Sequence, residues 1–230
     1  MLFRSAYADP SYQLVFRATG QEGRQLALKV GVPRTELRDE AVALRLWAGR
    51  GTVKIVAEDP DRGALLLERI DPGTQLAHVA VDDDDAATVI GGKAFVRVAA
   101  AGEIGPNDDT SEARALPMLA IWADGFRRYA QAFPDNGPID RSVIARAASI
   151  FGALNLSTSS YHVLHGDLHH HNILRSGPTD EDWIVVDPKG VVGDPAFEAG
   201  AFLRNPVAAF GTGVNGAART RRRVDIMVAK

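Results

Sequence analysis

His165-Gly166-Asp167-Leu168-His169-His170-His171-Asn172-Ile173-Leu174 concentrates the chemistry of this chain, and five of the six histidines lie between His162 and His171. Apolar residues precede the stretch (Val163, Leu164) and close it (Ile173, Leu174), so a polar loop is pinned between two short buried segments. Irregular backbone held by a rigid scaffold is where reactive groups usually sit. Two readings compete. In one, the histidines are metal ligands of a hydrolase, or more plainly solvated or core-satisfied side chains. Adjacent histidines cannot easily share one metal on a regular element, and no other cluster in the sequence supplies further ligands. In the other, Asp167 and Asn172, five positions apart, do the work. The carboxylate can accept or orient a hydroxyl proton, and the amide oxygen is a neutral ligand for a hard cation such as magnesium.

An Asp two positions after a His, with an Asn five beyond the Asp, matches the kinase catalytic loop. That chemistry needs a second metal-binding acid at a strand end. Trp183-Ile184-Val185-Val186 is a short β-prone run and Asp187 terminates it, twenty residues after Asp167. Alone, Asp187-Pro188 reads as a turn; its place after a strand and after the loop points to magnesium. The third element is Lys29 in the early strand Ala27-Leu28-Lys29-Val30. A lysine that grips phosphates needs an anion to hold it. Glu40, eleven residues on in the following helix, can do so, and Glu36, one turn earlier, is the runner-up.

Working outward, strands are expected at Tyr12 to Phe16 and Gln25 to Val30, joined by a hairpin turn at Gly20-Gln21-Glu22-Gly23. A helix opens at Pro33 and Thr35, carries Leu37, Ala41, Leu44 and Ala48 at helical spacing, and ends at Gly49. Two more strands follow, Val53 to Ala57 and Gly63 to Leu67. After Asp71-Pro72-Gly73 the chain becomes helical. The run Asp82 to Asp85 begins a helix that reaches about Ala101, since carboxylates favour a helix start. Ile104 to Ser111 is a polar loop. Helices fit Leu116–Phe133, Ile139–Leu156 and Pro195 to about Leu203, and a last one opens at Ala217. The aspartate run and Arg221-Arg222-Arg223 read as solvated faces.

The 230 residues allow one domain of two unequal lobes. Hydrophobic residues at 46% and charged residues at 24% are ordinary globular usage. With 26 basic and 29 acidic residues, a net charge of −3 gives no global field for nucleic acid. Without cysteine there are no disulfides, thiolate metal sites or cysteine nucleophile. No apolar run approaches the ~20 residues of a membrane helix, and no secretory signal is visible. A cytoplasmic protein without membrane or nucleic-acid partners is expected.

These residues resemble the aminoglycoside phosphotransferases, most closely the streptomycin 6-phosphotransferase group, also called aminoglycoside/hydroxyurea antibiotic resistance kinases. The resemblance is carried by Ala27–Val30, Arg38-Asp39-Glu40-Ala41 with Leu44-Arg45-Leu46-Trp47, Gly63 to Arg69, His165–Leu174, and Asp187-Pro188-Lys189-Gly190 on to Glu198. It implies an α+β, protein-kinase-like fold: a small β-rich lobe with one helix (1–70) binding nucleotide, and a mainly helical catalytic and acceptor lobe (71–230). Lys29 would contact the phosphates of ATP and Glu40 would pair with it. Glu68, Arg69 and Ile70 would be the hinge whose backbone meets adenine. Asp167 would be the catalytic base, and Asn172 and Asp187 would hold Mg2+. Asp194 is an N-cap before Pro195 on its own chemistry; the resemblance makes it a brace for the catalytic loop. The implied reaction is transfer of the γ-phosphate of ATP to a hydroxyl of an aminoglycoside. Hydroxyurea or another small hydroxyl compound is the alternative acceptor. A polycationic acceptor would favour a carboxylate-lined pocket, with Asp82–Asp85, Asp108, Asp109, Glu112 and Glu198 as candidates. The expected phosphate loop, Asp9-Pro10-Ser11-Tyr12, has no glycine. The chain is also expected to be short at both ends, with little room for a first strand, which leaves a non-catalytic nucleotide-binding remnant as a further alternative.

Overall fold

Strands rich in branched and aromatic residues, punctuated by turn glycines, build an antiparallel sheet at the start of the chain. The structure, a computed structural model, describes residues 2–6, 13–32, 35–105, 111–135, 137–179, 181–206 and 216–229. The expected phosphate loop at 9–12, the helix-opening Pro33, and Asp108 and Asp109 lie outside these residues. Strands β1 (Leu2–Ala6), β2 (Gln13–Thr19), β3 (Gln25–Gly31), β4 (Ile55–Asp59) and β5 (Ala64–Glu68) form one sheet in the order β1-β2-β3-β5-β4. Helix α1 (Thr35–Trp47) connects β3 to β4.

The register sets the site. Lys29 pairs with Val15 on one side and Leu65 on the other. Directly opposed residues share a face, so Ala27, Lys29, Leu65 and Leu67 all lie on one side of the sheet. That side belongs to a core that includes Leu37, Ala41, Leu44 and Trp47 of α1. Lys29 is thereby buried beneath a helix that carries its counter-charge.

The strand β1 corrects the expectation that the chain starts too late for one. Leu2 pairs with Thr19 and Phe3 with Ala18, and a register shift precedes the Ala6–Phe16 pair. Five residues suffice for an edge strand of ordinary length.

The helical part holds α2 (Leu76–Asp82), α3 (Asp84–Ala101), α4 (Ser111–Ala115), α5 (Asp124–Ala132) and α6 (Arg141–Ser157). The helix expected from Asp82 to about Ala101 is α3, and a further helix that was not expected, α2, precedes it across a break at Asp83. There the backbone turns extended and the Asp83 side chain accepts from Ala86 N at 2.9 Å, so the carboxylate caps the second helix. Leu76, Ala77 and Ala80 are the apolar face of the unexpected α2. The expected helix Leu116–Phe133 fails in its first half. Pro117 cannot continue a helix; its carbonyl instead accepts from Val192 N at 2.9 Å, and only after a 3-10 turn at Leu119–Ala123 does α5 begin.

Two short antiparallel ribbons follow. β6 (His162–Leu164) pairs with β9 (Val191–Gly193), and β7 (Ile173–Arg175) pairs with β8 (Trp183–Val185). The loops at 165–172 and 186–190 join one ribbon to the other and so lie side by side. The chain then passes through the 3-10 turn Pro195–Phe197 into α7 (Glu198–Leu203), and later forms α8 (Gly216–Val228). Val53 N donates to Val185 O, and Val185 N to Gly51 O, each at 2.9 Å, which ties the sheet-bearing part to the ribbons.

Candidate active site

The β7–β8 register pairs Ile173 with Val185, so one step beyond the ribbon Asn172 O accepts from Val186 N at 3.0 Å. The side chains of Asn172 and Asp187 therefore depart from adjoining chain ends. Lys189 N donates to His165 O at 2.7 Å, and the His165 ring nitrogen Nε2 lies 2.8 Å from Val186 O. The two loops are thus stitched together at both ends. Asp187 sits in the left-handed region at φ 61, an uncommon place for a residue that is not glycine. Gly166 also has positive φ, and a Cβ there would meet the Trp122 ring at 3.1 Å and the Lys189 Cβ at 3.2 Å.

Lys29 brings the sheet to these loops. Its Nζ lies 2.7 Å from both carboxylate oxygens of Glu40 and also donates to Asp187 Oδ1. Glu40 is the partner and the runner-up Glu36 is not. Burial works against the Lys29 charge, but Glu40 and Asp187 outweigh it and hold the ammonium above its ordinary pKa. Burial lifts the Glu40 carboxyl to about 7, against the pull of Lys29. For Asp187 the lysine outweighs desolvation and the carboxyl lies below its usual range.

Around Asp167, Oδ1 accepts from Arg204 Nη2 at 3.1 Å, and the Asp167 carbonyl accepts from Asn172 Nδ2 at 3.0 Å. That amide bond orients Asn172 and leaves its Oδ1 available. One amide oxygen and one carboxylate are a small, hard donor set. It fits Mg2+, which keeps most of its other ligands as water and phosphate oxygens. It does not fit zinc, and among the described residues no group of three or more His, Cys, Asp or Glu is placed to hold a metal. The histidines have separate jobs. His165 and His170 are buried, and His162 Nδ1 lies 2.8 Å from Ala99 O.

The expected hinge leaves the sheet after the Leu26–Glu68 pair, so among the described residues the backbone groups of Arg69 and Ile70 have no ladder partner. The side chains of Glu68 and Arg69 serve the scaffold: Glu68 accepts from Lys54 N at 3.1 Å, and Arg69 pairs with Asp71 at 2.7 Å.

Asp194 caps the turn that follows it, accepting from Ala196 N at 2.9 Å. The brace on the loop is Glu198. It is 3% exposed and accepts from Gly166 N at 3.0 Å, and burial raises its carboxyl to about 7. Glu198 is therefore not an acceptor-side carboxylate. Asp83 is spent on its cap, while Asp84 and Asp85 pair with Arg223 and Arg222 of α8. Glu112 pairs with Arg45 at 3.2 Å, and Asp82 is exposed at the end of α2. Lys189, Arg204 and Glu198 are site neighbours to which the sequence assigned no such place. The charge of Lys189 bears on Glu40 and Asp187. Glu198 could have been found from its place at a helix start just past Asp194; nothing marks Arg204.

A small antiparallel sheet with one covering helix, a helical second part, and paired loops beneath a buried lysine define the protein-kinase-like class. A structure of amicoumacin kinase in complex with AMP-PNP, Ca2+ and Ami superposes with a TM-score of 0.67 at 16% identity, covering 98% of this chain and 70% of that one. The family described as aminoglycoside/hydroxyurea antibiotic resistance kinase matches residues 7–230, and this chain belongs to it. Streptomycin 6-kinase of Streptomyces griseus is 32% identical over 187 residues, 80% of this chain and 56% of the relative. Hydroxyurea phosphotransferase of Kitasatospora aureofaciens is 32% identical over 185 residues, 80% of this chain and 52% of the relative. The chain spans about half the length of the curated relatives it matches.

Proposed function

We propose that this chain is an ATP-dependent phosphotransferase that transfers the γ-phosphoryl group to a hydroxyl of an aminoglycoside such as streptomycin, conferring resistance. The observation that carries the reading is the contact of Lys29 with both Glu40 and Asp187, next to the loop of Asp167 and Asn172. Residues 1–70 would form the nucleotide-binding lobe, with the backbone at Arg69 and Ile70, just past the last ladder pair, meeting adenine. Residues 71–230 would form the catalytic lobe. Lys29, steadied by Glu40, would hold the phosphates.

Asp167 would take the proton of the acceptor hydroxyl. The acceptor oxygen forms a bond to the γ-phosphorus, and the bond from that phosphorus to the β–γ bridging oxygen breaks. ADP leaves with the electron pair. Asn172 and Asp187 would hold Mg2+, which when bound neutralises phosphate charge. Acceleration rests mainly on positioning and charge. The same reading places the protein in the cytoplasm with ATP, acting on a small molecule and not on nucleic acid.

Asp167→Ala should lower phosphoryl transfer from ATP to streptomycin by about a hundredfold or more while leaving nucleotide binding intact. Undiminished turnover in that variant would remove Asp167 from the role. Hydroxyurea is the second acceptor to be assayed, because its phosphotransferase is as similar in sequence as the streptomycin kinase. Labelled phosphate appearing on one acceptor and not the other decides between them.

A further inference from the structure

We propose that Arg204 is a positioning residue for Asp167, set in place by the buried guanidinium of Arg223. The inference rests on the phosphotransferase reading above. Asp167 stands on irregular backbone, where nothing regular fixes a side chain. Its Oδ1 accepts from Arg204 Nη2 at 3.1 Å, and its Oδ2 lies 3.7 Å from His169 Nε2, too far for a hydrogen bond. One oxygen is anchored and the other is left for an acceptor hydroxyl. The Arg204 side chain is 67% exposed. An ion pair so open to water contributes little to stability, so its use lies in where it holds the carboxylate.

A long exposed arginine makes a dependable contact only if its backbone is fixed, and here it is. Arg223 donates to the carbonyls of Phe202 at 3.3 Å, Leu203 at 3.2 Å and Asn205 at 2.5 Å, on both sides of Arg204. Asn205 Nδ2 further donates to Ala201 O at 3.0 Å. Arg223 is itself 0% exposed, with its charge met by Asp84 at 2.5 and 3.0 Å. At the other end of the same short helix, Glu198 receives the Gly166 N–H. α7 therefore touches the loop twice, through its N-terminal carboxylate on the backbone and through its C-terminal guanidinium on the reacting side chain. A carboxylate fixed in this way presents one geometry to the acceptor. Loosening it misplaces the proton acceptor without touching the nucleotide.

The test is steady-state transfer from ATP to streptomycin or hydroxyurea, whichever the unaltered protein phosphorylates. Arg204→Ala should lose kcat on the order of tenfold to a hundredfold, with KM for ATP unchanged. Added guanidinium ion at sub-denaturing concentration should restore part of that loss, because the side chain it replaces is open to solvent. Arg204→Lys should retain part of the activity, since it keeps the charge but loses the planar fork. Arg222→Ala, on the exposed side of α8, should leave kcat as it was. Full kcat in Arg204→Ala, with the unaltered protein active, overturns this proposal alone. So does a loss of kcat that tracks a lower melting temperature and does not respond to guanidinium. No transfer by the unaltered protein to either acceptor overturns the phosphotransferase reading and this proposal with it.

Discussion

His165 shows what a single residue type conceals. In the sequence it is one of five clustered histidines, equally suited to a metal, to water or to the core. In the structure its ring is fully buried, Nε2 lies 2.8 Å from Val186 O, and Nδ1 accepts from Asp167 N at 3.2 Å. The Asp-to-Asn spacing was legible because a loop of fixed length enforces it. The separate fates of the histidines were not, because burial depends on which strand crosses behind each one. Burial holds the His165 imidazole down to about 4, against an unfolded value near 6.5. Between those values the unfolded chain carries a proton that the folded one refuses. The His165 contribution to stability is therefore complete above pH ~6.5 and falls, by about 3 kcal/mol in all, as the pH drops toward 4. Glu198, raised to about 7, acts in the opposite sense, since the folded carboxyl keeps its proton where the unfolded one has lost it. The two partly cancel in overall stability, so the ring's own titration is the clean measurement. Its imidazole resonances should not shift between about pH 8 and pH 5. A midpoint near 6.5 contradicts a buried neutral ring.

At the level of elements, two charge runs that look like solvated faces are partners. The acidic run Asp82–Asp85 spans the end of α2 and the start of α3, and the basic run Arg221–Arg223 lies in α8, more than a hundred residues away. Asp84 meets Arg223, and Arg219 lies 3.4 Å from the same carboxylate, while Asp85 pairs with Arg222 at the rim. Charge runs show their sign in a sequence but not their distance from opposite charge. Helix termini were legible where a cap or a glycine marked them. α2 was missed because the aspartates that mark the start of α3 gave no sign that another helix ends against them. The two pairs should differ sharply on mutation. Asp84→Ala strands the buried Arg223 charge and should cost about 3–5 kcal/mol. Arg222→Ala breaks an exposed pair and should leave stability almost unchanged. Urea unfolding of both variants checks this, and equal midpoints would mean that Arg223 finds another counter-ion.

Across the whole molecule, Lys29 and Asp187 are 158 positions apart and in direct contact. The order Lys29, Glu40, Asp167, Asn172, Asp187 could be read from spacing alone. Their convergence could not, since it depends on sheet register and on two ribbons that hold the loops together. The assembled cluster has an imbalance that bears on ligand binding. One ammonium, Lys29, contacts two carboxylates, with Glu40 at 2% exposure and Asp187 at 44%, and the charge of Lys189 bears on both. Nucleotide phosphates would add further negative charge at the same lysine. Glu40 is enclosed and stays on Lys29; Asp187 is open enough to exchange the lysine for a cation. ATP and magnesium should therefore stabilise the protein by separable amounts. Mg-ATP at about a hundredfold its Kd should add about 2.7 kcal/mol to unfolding, with ATP in chelator adding less. In Asp187→Asn, ATP alone should still stabilise through Lys29, and the increment from magnesium should vanish. A variant that keeps the whole magnesium increment in thermal melts removes Asp187 from the cation site.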